Sequence, residues 1–244
     1  RVNAHLRTRT MMNEQERLNH ELSRMNEILE EKVRARTQEI KDANISAIYM
    51  LAVASDAKDS DTGNHIQRVR FYSEALARNI GIDDNEAEEI GYSSMMHDVG
   101  KLAIPDRVLK KPGRLDDEEL AIMRTHAAKG AEILGDNPFF EKARHIAHCH
   151  HERFDGTGYP RGLKGENIPL PARIVAVADI YDALSSARVY KEAWSQDEVL
   201  VELINISGTH LDPTVVNAFL EMVHDGTVDK IRKQYSDPAA EGEI

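Results

Sequence analysis

Apolar residues recur at steps of three and four along most of the chain, which predicts an all-α protein. After residue 45 the amphipathic stretches fall at roughly 46–58, 64–80, 85–98, 117–134, 139–151, 171–186, 195–206 and 213–224. Common N-cap residues precede several of them: Asp84, Asp116 or Asp117, Ser195 and Asp212, with Pro213 at a first helical position. The sequence contains no alternating strand pattern of useful length, so a parallel sheet is not expected.

The first 45 residues have a different character, because they contain neither proline nor glycine. Their apolar positions are Leu18, Leu22, Met25, Leu29, Val33 and Ile40. These steps of three and four are typical of a coiled-coil seam and predict a parallel dimer. The alternative is a solvated helix that packs on its own domain. Three consecutive steps of four between Met25 and Thr37 form a stutter, which locally unwinds a left-handed supercoil.

We therefore expect two domains, a linker helix over residues 1–45 and a helical domain over 46–244. The linker has balanced charges, whereas the rest of the chain carries 22 basic and 34 acidic residues. Such an acidic balance argues against a protein that coats a nucleic-acid polymer. The linker helix would connect the second domain to an upstream sensor or receiver domain, since the chain begins at Arg1 and not at Met.

Composition excludes several other classes of protein. With 244 residues and 41% hydrophobic residues, the chain can bury a core and is not a disordered protein. No apolar run reaches the ~18 residues that a membrane span needs, and no signal peptide opens the sequence. The one cysteine, Cys149, excludes an internal disulfide and fits a reducing compartment, so we expect a cytoplasmic protein.

The eleven histidines are unevenly distributed, and the first informative one is His97 in the pair His97-Asp98. A carboxylate can bridge two cations and an imidazole can bind one, so this pair suits a site with several metals. Lys101 would place an ammonium nearby, where it could offset the charge of an anionic substrate. Taken alone, the pair would more often be a buried histidine with a capping aspartate.

A second group of histidines consists of His145, His148, His150 and His151. Four imidazoles within seven residues are unusual for a structural helix, because histidine is neither a strong helix former nor a good core residue. We expect His150 and His151 to bind metal, and His145 and His148 to be supporting or solvated. Cys149 is expected to be a packed residue, since a thiolate suits zinc or iron–sulfur chemistry better than a His/Asp site.

Three more segments contribute potential ligands. His65 opens a helix with Asp61 four residues before it, His126 lies within the stretch 117–134, and Asp179 interrupts an apolar run. A lone carboxylate in such a run is costly unless it is paired or metal-bound. Together the five segments predict a site for two or three iron, manganese or similar divalent ions, of the kind that favours attack on phosphate esters.

These residues lie in motifs that resemble the HD-GYP phosphodiesterases. The motifs are HDVGK at 97–101, HHERFDGTGYP at 150–160, DIYDAL at 179–184 and RVYK at 188–191, with IPD at 104–106, KPG at 111–113 and GTHLDP at 208–213. The likeness covers roughly residues 46–224 in order. It implies an all-α HD-superfamily fold and hydrolysis of cyclic di-GMP to the linear dinucleotide pGpG, with further cleavage to GMP left open.

The resemblance also implies a role for each site residue. One metal would be held by His97, Asp98 and Asp179, with Asp98 bridging; a second by His126, His150 and His151; and a third by His65 with Asp61. A hydroxide bridging two metals would be the nucleophile, with Asp98 and Lys101 as catalytic residues. Substrate contacts would come from Tyr159, Asp182, Arg188 and Lys191. Iron or manganese is expected first, with zinc, nickel, cobalt or magnesium as alternatives.

Three points stay open from the sequence. Asp61 replaces the longer Glu that is frequent in this family, so two and three metals are equally expected. The substrate could be another cyclic dinucleotide such as cyclic GMP–AMP, because only base contacts would differ. A non-catalytic receptor for cyclic di-GMP is the third alternative, although such a protein would be expected to lack a metal ligand.

Overall fold

The computed structural model describes residues 2–56, 58, 63–186 and 193–236. The described residues form eleven α-helices, which we number in chain order: Val2–Asp56, Gly63–Asn79, Asp84–Ser94, Asp106–Leu109, Asp117–Arg124, His126–Leu134, Glu141–Cys149, Leu170–Ser185, Gln196–Ile206, Pro213–His224 and Thr227–Gln234. Short 3₁₀ helices lie at Val99–Ala103, Pro138–Phe140 and Gly165–Asn167. No strand occurs within these ranges apart from an isolated bridge between Ser207 and Leu211. The all-α expectation is therefore confirmed.

The chain divides into two compact units, Arg1–Ala47 and Ile48–Ile244. In the first unit the apolar seam of α1 is exposed to solvent. More than half of the surface of each seam residue is accessible: Leu18, Leu22, Met25, Leu29, Val33 and Ile40. Surface ion pairs such as Arg36–Glu39, at 2.6 Å, accompany the seam. The coiled coil and the two-domain division stay predictions.

The core of the second unit is built around α8. Its residues Ile174, Val175 and Val177 are fully buried, as expected for a helix that is apolar on all sides and packed in the centre of a domain. Helix α2 packs against it through Tyr72, whose ring meets that of Tyr181 edge-on at 5.5 Å. The same core includes residues of α3, α7, α9, α10 and α11.

Helix starts follow the sequence closely, with one correction. Asp116 and Ser195 each form a capping box, and Asp212 caps α10 with Pro213 at its first turn. The cap of α3 is Asp83 and not Asp84, because the carboxylate of Asp83 accepts from two backbone N–H groups.

Two element boundaries differ from those that the periodicity predicts, and one helix was not predicted. The stretch 117–134 is two helices that separate at Thr125, whose hydroxyl donates to the carbonyl of Ile122 at 2.6 Å. Helix α3 ends at Ser94, so the stretch does not continue to residue 98. Helix α11, which the pattern did not indicate, follows α10 directly.

Candidate metal centre

Each of the candidate ligands among the described residues lies near a helix end or on a central helix of the second unit. His65 lies in the first turn of α2, His126 begins α6, and His150 caps the C-terminus of α7. His97 and Asp98 occupy the turn after α3, and Asp179 lies on α8. Because these five segments converge, side chains far apart in sequence share one region of the structure.

The side chains form two groups that could each hold a metal ion. The first group contains Asp98, His126, His150 and His151, and the second contains His65, His97 and Asp179. Within each group the potential ligand atoms lie within 4.8 Å of one another. We call these the Asp98 cluster and the His65 cluster.

Asp98 lies between the two clusters. Its Oδ1 is 3.3 Å from His126 Nε2 and 3.6 Å from His150 Nε2. Its Oδ2 is 3.5 Å from His97 Nε2, which belongs to the His65 cluster. One carboxylate thus directs its two oxygens toward two sets of imidazoles, which is the arrangement that a bridging ligand needs.

Backbone carbonyls orient three of the imidazoles through Nδ1. The acceptors are Ser94 O for His97 at 2.8 Å, Met123 O for His126 at 2.8 Å, and Ile146 O and Ala147 O for His150, both at 3.1 Å. A carbonyl can only accept, so Nδ1 carries a proton in each ring and Nε2 is the atom that faces the cluster. This second contact is the usual support of a metal-binding histidine.

The imidazole Nε2 and carboxylate oxygen atoms that face one another in the two clusters are mostly hydrogen-bond acceptors, which is a set of atoms suited to binding a cation. His126 Nε2 and His150 Nε2 face each other at 3.4 Å, so they cannot both present lone pairs there unless a proton or a cation lies between them. His97 Nε2 and Asp98 Oδ1 are buried without a hydrogen-bond partner among the described residues. Buried polar atoms that have no partner point to a missing ligand or ion. The donor set therefore fits divalent metals.

Protonation states in the Asp98 cluster favour metal binding. Burial acts to raise the pKa of the Asp98 carboxyl, but the Lys101 ammonium and His97 hold it well below its usual range, so Asp98 is ionised. Burial, followed by the effect of neighbouring His150, lowers the pKa of His151 well below its usual range. Burial lowers the pKa of His150 as well. Both rings are therefore neutral at pH 7 and keep a lone pair for a metal.

His126 shows the opposite shift. Burial acts to lower its pKa, but contacts with the Asp98 carboxylate outweigh burial and raise it. A proton on His126 can thus partly fill the gap between the acceptors. A divalent ion would replace that proton, so metal binding by this cluster is expected to release protons.

An open cleft of about 350 Å³ adjoins the Asp98 cluster, because His151 belongs to both. The other lining residues are Arg124, Arg153, Thr157, Gly158, Tyr159 and His210. The Tyr159 ring stacks on His151 at 4.8 Å, and the guanidinium carbon of Arg124 lies 5.3 Å from the centre of the Tyr159 ring. The cleft therefore offers cationic groups and a planar ring beside the cluster, as a phosphate-bearing base would require.

The loop that carries Tyr159 is held by a residue that the sequence analysis missed. Glu152 is buried, and its carboxylate accepts from the backbone N–H groups of Arg161 at 2.7 Å and Leu163 at 2.9 Å. Gly158 packs so closely on the backbone of Glu152 and Arg153 that a Cβ atom would overlap it. The sequence feature that could have indicated this role is an acidic residue at the start of a Gly- and Pro-rich segment, where backbone N–H groups need an acceptor.

The other expected site residues have different outcomes. Lys101 Nζ lies 2.9 Å from Asp98 Oδ2, at the edge of the Asp98 cluster. His145 is exposed and His148 half-buried, and neither belongs to a cluster. Cys149 is buried outside both clusters, and burial raises the pKa of its thiol to about 11. Asp61, Arg188 and Lys191 lie outside the described residues.

Two residues have neighbours that the resemblance did not indicate. His65 groups with His97 and Asp179, its Nε2 lying 3.7 Å from Asp179 Oδ1, and its expected pairing with Asp61 stays a prediction because Asp61 lies outside the described residues. Asp182 is not available for contact with a base, because it is 1% exposed and its carboxylate already accepts from His65 Nδ1 at 2.8 Å. Its partner Arg68 is a second residue that the sequence analysis missed.

Known proteins resemble the chain over most of its second unit. The HD domain family matches residues 49–215. A 3′3′-cGAMP-specific phosphodiesterase of Vibrio cholerae is 43% identical over 185 residues, covering 75% of this chain and 35% of the relative. A cyclic di-GMP phosphodiesterase of the same species is also 43% identical, over 201 residues, covering 76% of this chain and 41% of the relative.

Solved structures agree on the fold. The crystal structure of a cyclic GMP-AMP phosphodiesterase from V. cholerae superposes with a TM-score of 0.61 at 18% identity, covering 80% of this chain and 51% of that one. The chain spans less than half the length of the two curated relatives above. The family match covers more than half of the chain, in the same region as the sequence motifs. The chain therefore belongs to the HD domain family, and its resemblance to the HD-GYP branch of that family is confirmed.

Proposed function

We propose that the chain is a metal-dependent phosphodiesterase that hydrolyses cyclic di-GMP to pGpG in the cytoplasm. The observation that carries this proposal is Asp98, whose two oxygens face two separate clusters of potential metal ligands beside an open cleft. Relatives named as cyclic di-GMP phosphodiesterases support the substrate. Whether pGpG is cleaved further to GMP depends on how the linear product binds.

Two divalent ions would be held by the Asp98 cluster and the His65 cluster, and iron and manganese suit these nitrogen and oxygen ligands. Such ions, when bound, lower the pKa of water and polarise a phosphoryl oxygen. The chain's own contribution is to fix the ligands through the carbonyls that accept from Nδ1 of His97, His126 and His150. A third ion would need Asp61 and stays a proposal.

Three side chains beside the clusters would handle the substrate. Lys101 can offset the negative charge of the phosphate or of the departing oxygen, because its ammonium already lies against Asp98. Tyr159 presents its ring to the cleft, where a guanine could stack. Arg124 adds a guanidinium over that ring, suited to phosphate. Arg188 and Lys191 are proposed as further phosphate contacts from the sequence motif alone.

A phosphodiesterase for cyclic GMP–AMP is the second candidate. The observation that favours it is the relative named as 3′3′-cGAMP-specific, which is as similar to this chain as the relative named for cyclic di-GMP. The metal chemistry would be identical, and only the contacts to one base would differ.

Product chromatography separates these proposals. The protein is loaded with Mn²⁺, or with Fe²⁺ without oxygen, and incubated in parallel with cyclic di-GMP and 3′3′-cyclic GMP–AMP; chelator-treated protein is the control. We expect pGpG to form from cyclic di-GMP faster than product forms from the mixed dinucleotide. The reverse order would support the second candidate, and bound but intact cyclic di-GMP would instead identify a receptor.

We also propose that the exposed seam of α1 pairs with the same helix of a second copy, as a parallel coiled coil that transmits a signal from an upstream sensor or receiver domain. The supporting observation is the row of exposed apolar side chains at coiled-coil spacing. No helix among the described residues is long and apolar enough to span a membrane.

A further inference from the structure

Arg68 lies behind the His65 cluster and is a buried cation that is not itself a potential metal ligand. It is 4% exposed, and it binds Asp182 with two hydrogen bonds, from Nε to Oδ1 at 2.6 Å and from Nη2 to Oδ2 at 3.0 Å. This fork-to-carboxylate geometry is strong and directional. The guanidinium thus fixes the position of the Asp182 carboxylate.

Asp182 passes this orientation on to His65. Its Oδ2 accepts from His65 Nδ1 at 2.8 Å, which leaves the lone pair of Nε2 directed at the cluster, 3.7 Å from Asp179 Oδ1. Unlike His97, His126 and His150, whose Nδ1 atoms face backbone carbonyls, His65 is oriented by a side chain. Its orientation therefore depends on whatever holds Asp182.

The C-terminal residues of the described chain hold Arg68 in turn. Arg68 Nη1 donates to the carbonyl of Tyr235 at 2.9 Å, and the Tyr235 ring stacks on Phe71 at 4.9 Å. Asn64 Nδ2 donates to the carbonyl of Ser236 at 3.1 Å. Asn64, Arg68 and Phe71 lie on one face of α2, at the spacing of successive helical turns. The segment 235–236 therefore braces the same helix that carries His65.

We infer that Arg68, braced by Tyr235, is a positioning residue that sets the metal affinity of the His65 cluster through Asp182 and His65. The inference rests on the metal-binding part of the proposed function, but it does not depend on which dinucleotide is cleaved. It assigns to the C-terminal segment an effect on a metal site with which it shares no ligand. In the Asp98 cluster His126 and His150 are oriented by backbone carbonyls and not by Arg68 and Asp182. The metal affinity of the Asp98 cluster therefore serves as an internal reference.

Titration of the metal-free protein with Co²⁺, followed by its visible absorption and by metal analysis, tests the inference. Arg68→Lys keeps the charge but loses the fork, and Tyr235→Ala removes the ring that stacks on Phe71. The control is the same substitution, Arg78→Lys, at the far end of α2, where the guanidinium contacts Glu74 and Asp84 instead of Asp182. Circular dichroism checks that each variant is folded.

We expect the wild-type protein to bind two Co²⁺ ions. In Arg68→Lys the affinity of one of them should fall about 10-fold, at the low end of the range seen when the direct support of a metal-binding histidine is removed, because Arg68 acts through Asp182. Tyr235→Ala should weaken the same ion by a smaller factor, and Arg78→Lys should match the wild type. Should Arg68→Lys fail to fold, Tyr235→Ala decides alone.

The inference would be overturned by unchanged affinities in both folded variants, or by a wild-type protein in which the His65 cluster takes no metal. Loss of both ions to the same extent would also contradict it, since that would reflect a general loosening of the domain. A protein that binds both ions as expected but leaves cyclic di-GMP intact would refute the proposed function and leave this inference standing.

Discussion

At the scale of single residues, the sequence identifies most of the candidate ligands but not the residues that orient them. His97 and Asp98 could be selected as an adjacent pair, His150 as part of a dense group of histidines, and Asp179 as a carboxylate in an apolar run, where it needs a partner. Arg68 and Asp182 could not be paired, since they are 114 positions apart, Arg68 has no distinguishing sequence signal, and Asp182 was expected to contact substrate. Their burial and mutual contact emerge only when α2 packs on α8.

Arg124 is predicted to contribute to substrate affinity. Arg124→Ala removes a guanidinium from the cleft next to Tyr159, so KM for cyclic di-GMP should rise about tenfold with little change in kcat, in line with the loss of one charged contact. Steady-state kinetics on metal-loaded protein measures both values. Arg114→Ala, an exposed arginine that does not line the cleft, is the control. A fall in kcat at constant KM would contradict the assignment.

Cys149 is predicted to be chemically inert in the folded protein. The residue is 2% exposed, and burial raises the pKa of its thiol to about 11, so almost no thiolate exists at pH 8. Mass spectrometry after treatment with iodoacetamide should show no modification of the native protein and full modification in denaturant. Rapid alkylation of the native protein would show that the α7 end opens readily.

At the scale of elements, periodicity locates helices well but not the breaks within them. The stretch 117–134 keeps its apolar spacing across Thr125, so nothing in the pattern marks the change of direction that puts His126 at a helix start. Helix α11 was missed because eight residues give too few turns for a clear period. Helix N-caps were predicted more reliably, because a cap depends only on a side chain that accepts from backbone N–H groups two or three residues later.

The contact between Gly100 and α6 is predicted to be essential for the Asp98 cluster. A Cβ atom at Gly100 would overlap the backbone carbonyl of His126, so Gly100→Ala must displace α6. We expect a loss of about 3 kcal/mol in the free energy of unfolding, typical of overpacking, together with weaker metal binding. Chemical denaturation and metal analysis measure the two effects.

Gly226→Ala is the matched control for this substitution. Gly226 has a φ of +80° and open space around it, so alanine there costs only backbone strain, about 1–2 kcal/mol, and should leave metal binding unchanged. Equal metal contents in the two variants would contradict the role given to the Gly100 contact.

The seam of α1 is predicted to hold a dimer together. In a parallel coiled coil, each lysine introduced by Leu22→Lys and Leu29→Lys would face the same lysine of the second copy. The like charges would repel, so the double variant should be monomeric. Ser23→Lys adds a charge outside the seam and should stay dimeric. Sedimentation analysis at several protein concentrations distinguishes the two states. A wild-type chain that is already monomeric would refute the coiled coil and favour a solvated helix.

At the scale of the whole molecule, an acidic domain is proposed to bind a dianionic ligand. Residues 46–244 contain more acidic than basic residues, so attraction cannot come from net charge and must come from local cations. The structure supplies Lys101 and Arg124 beside the Asp98 cluster, and bound metals would add to them. The family and the fold were predictable because the motifs extend in order over most of this unit; base specificity was not, since it depends on a few contacts in one cleft.

The central claim is that two metals joined by Asp98 make the chain a phosphodiesterase. Titration of metal-free protein with Mn²⁺, while pGpG formation from cyclic di-GMP is followed by chromatography, tests it most directly. We predict that activity appears only with the second equivalent of metal. Asp98→Asn should abolish that activity, whereas Asp136→Asn, at a fully exposed aspartate, should leave it unchanged. Full activity with one equivalent, or activity retained in Asp98→Asn, would contradict the account.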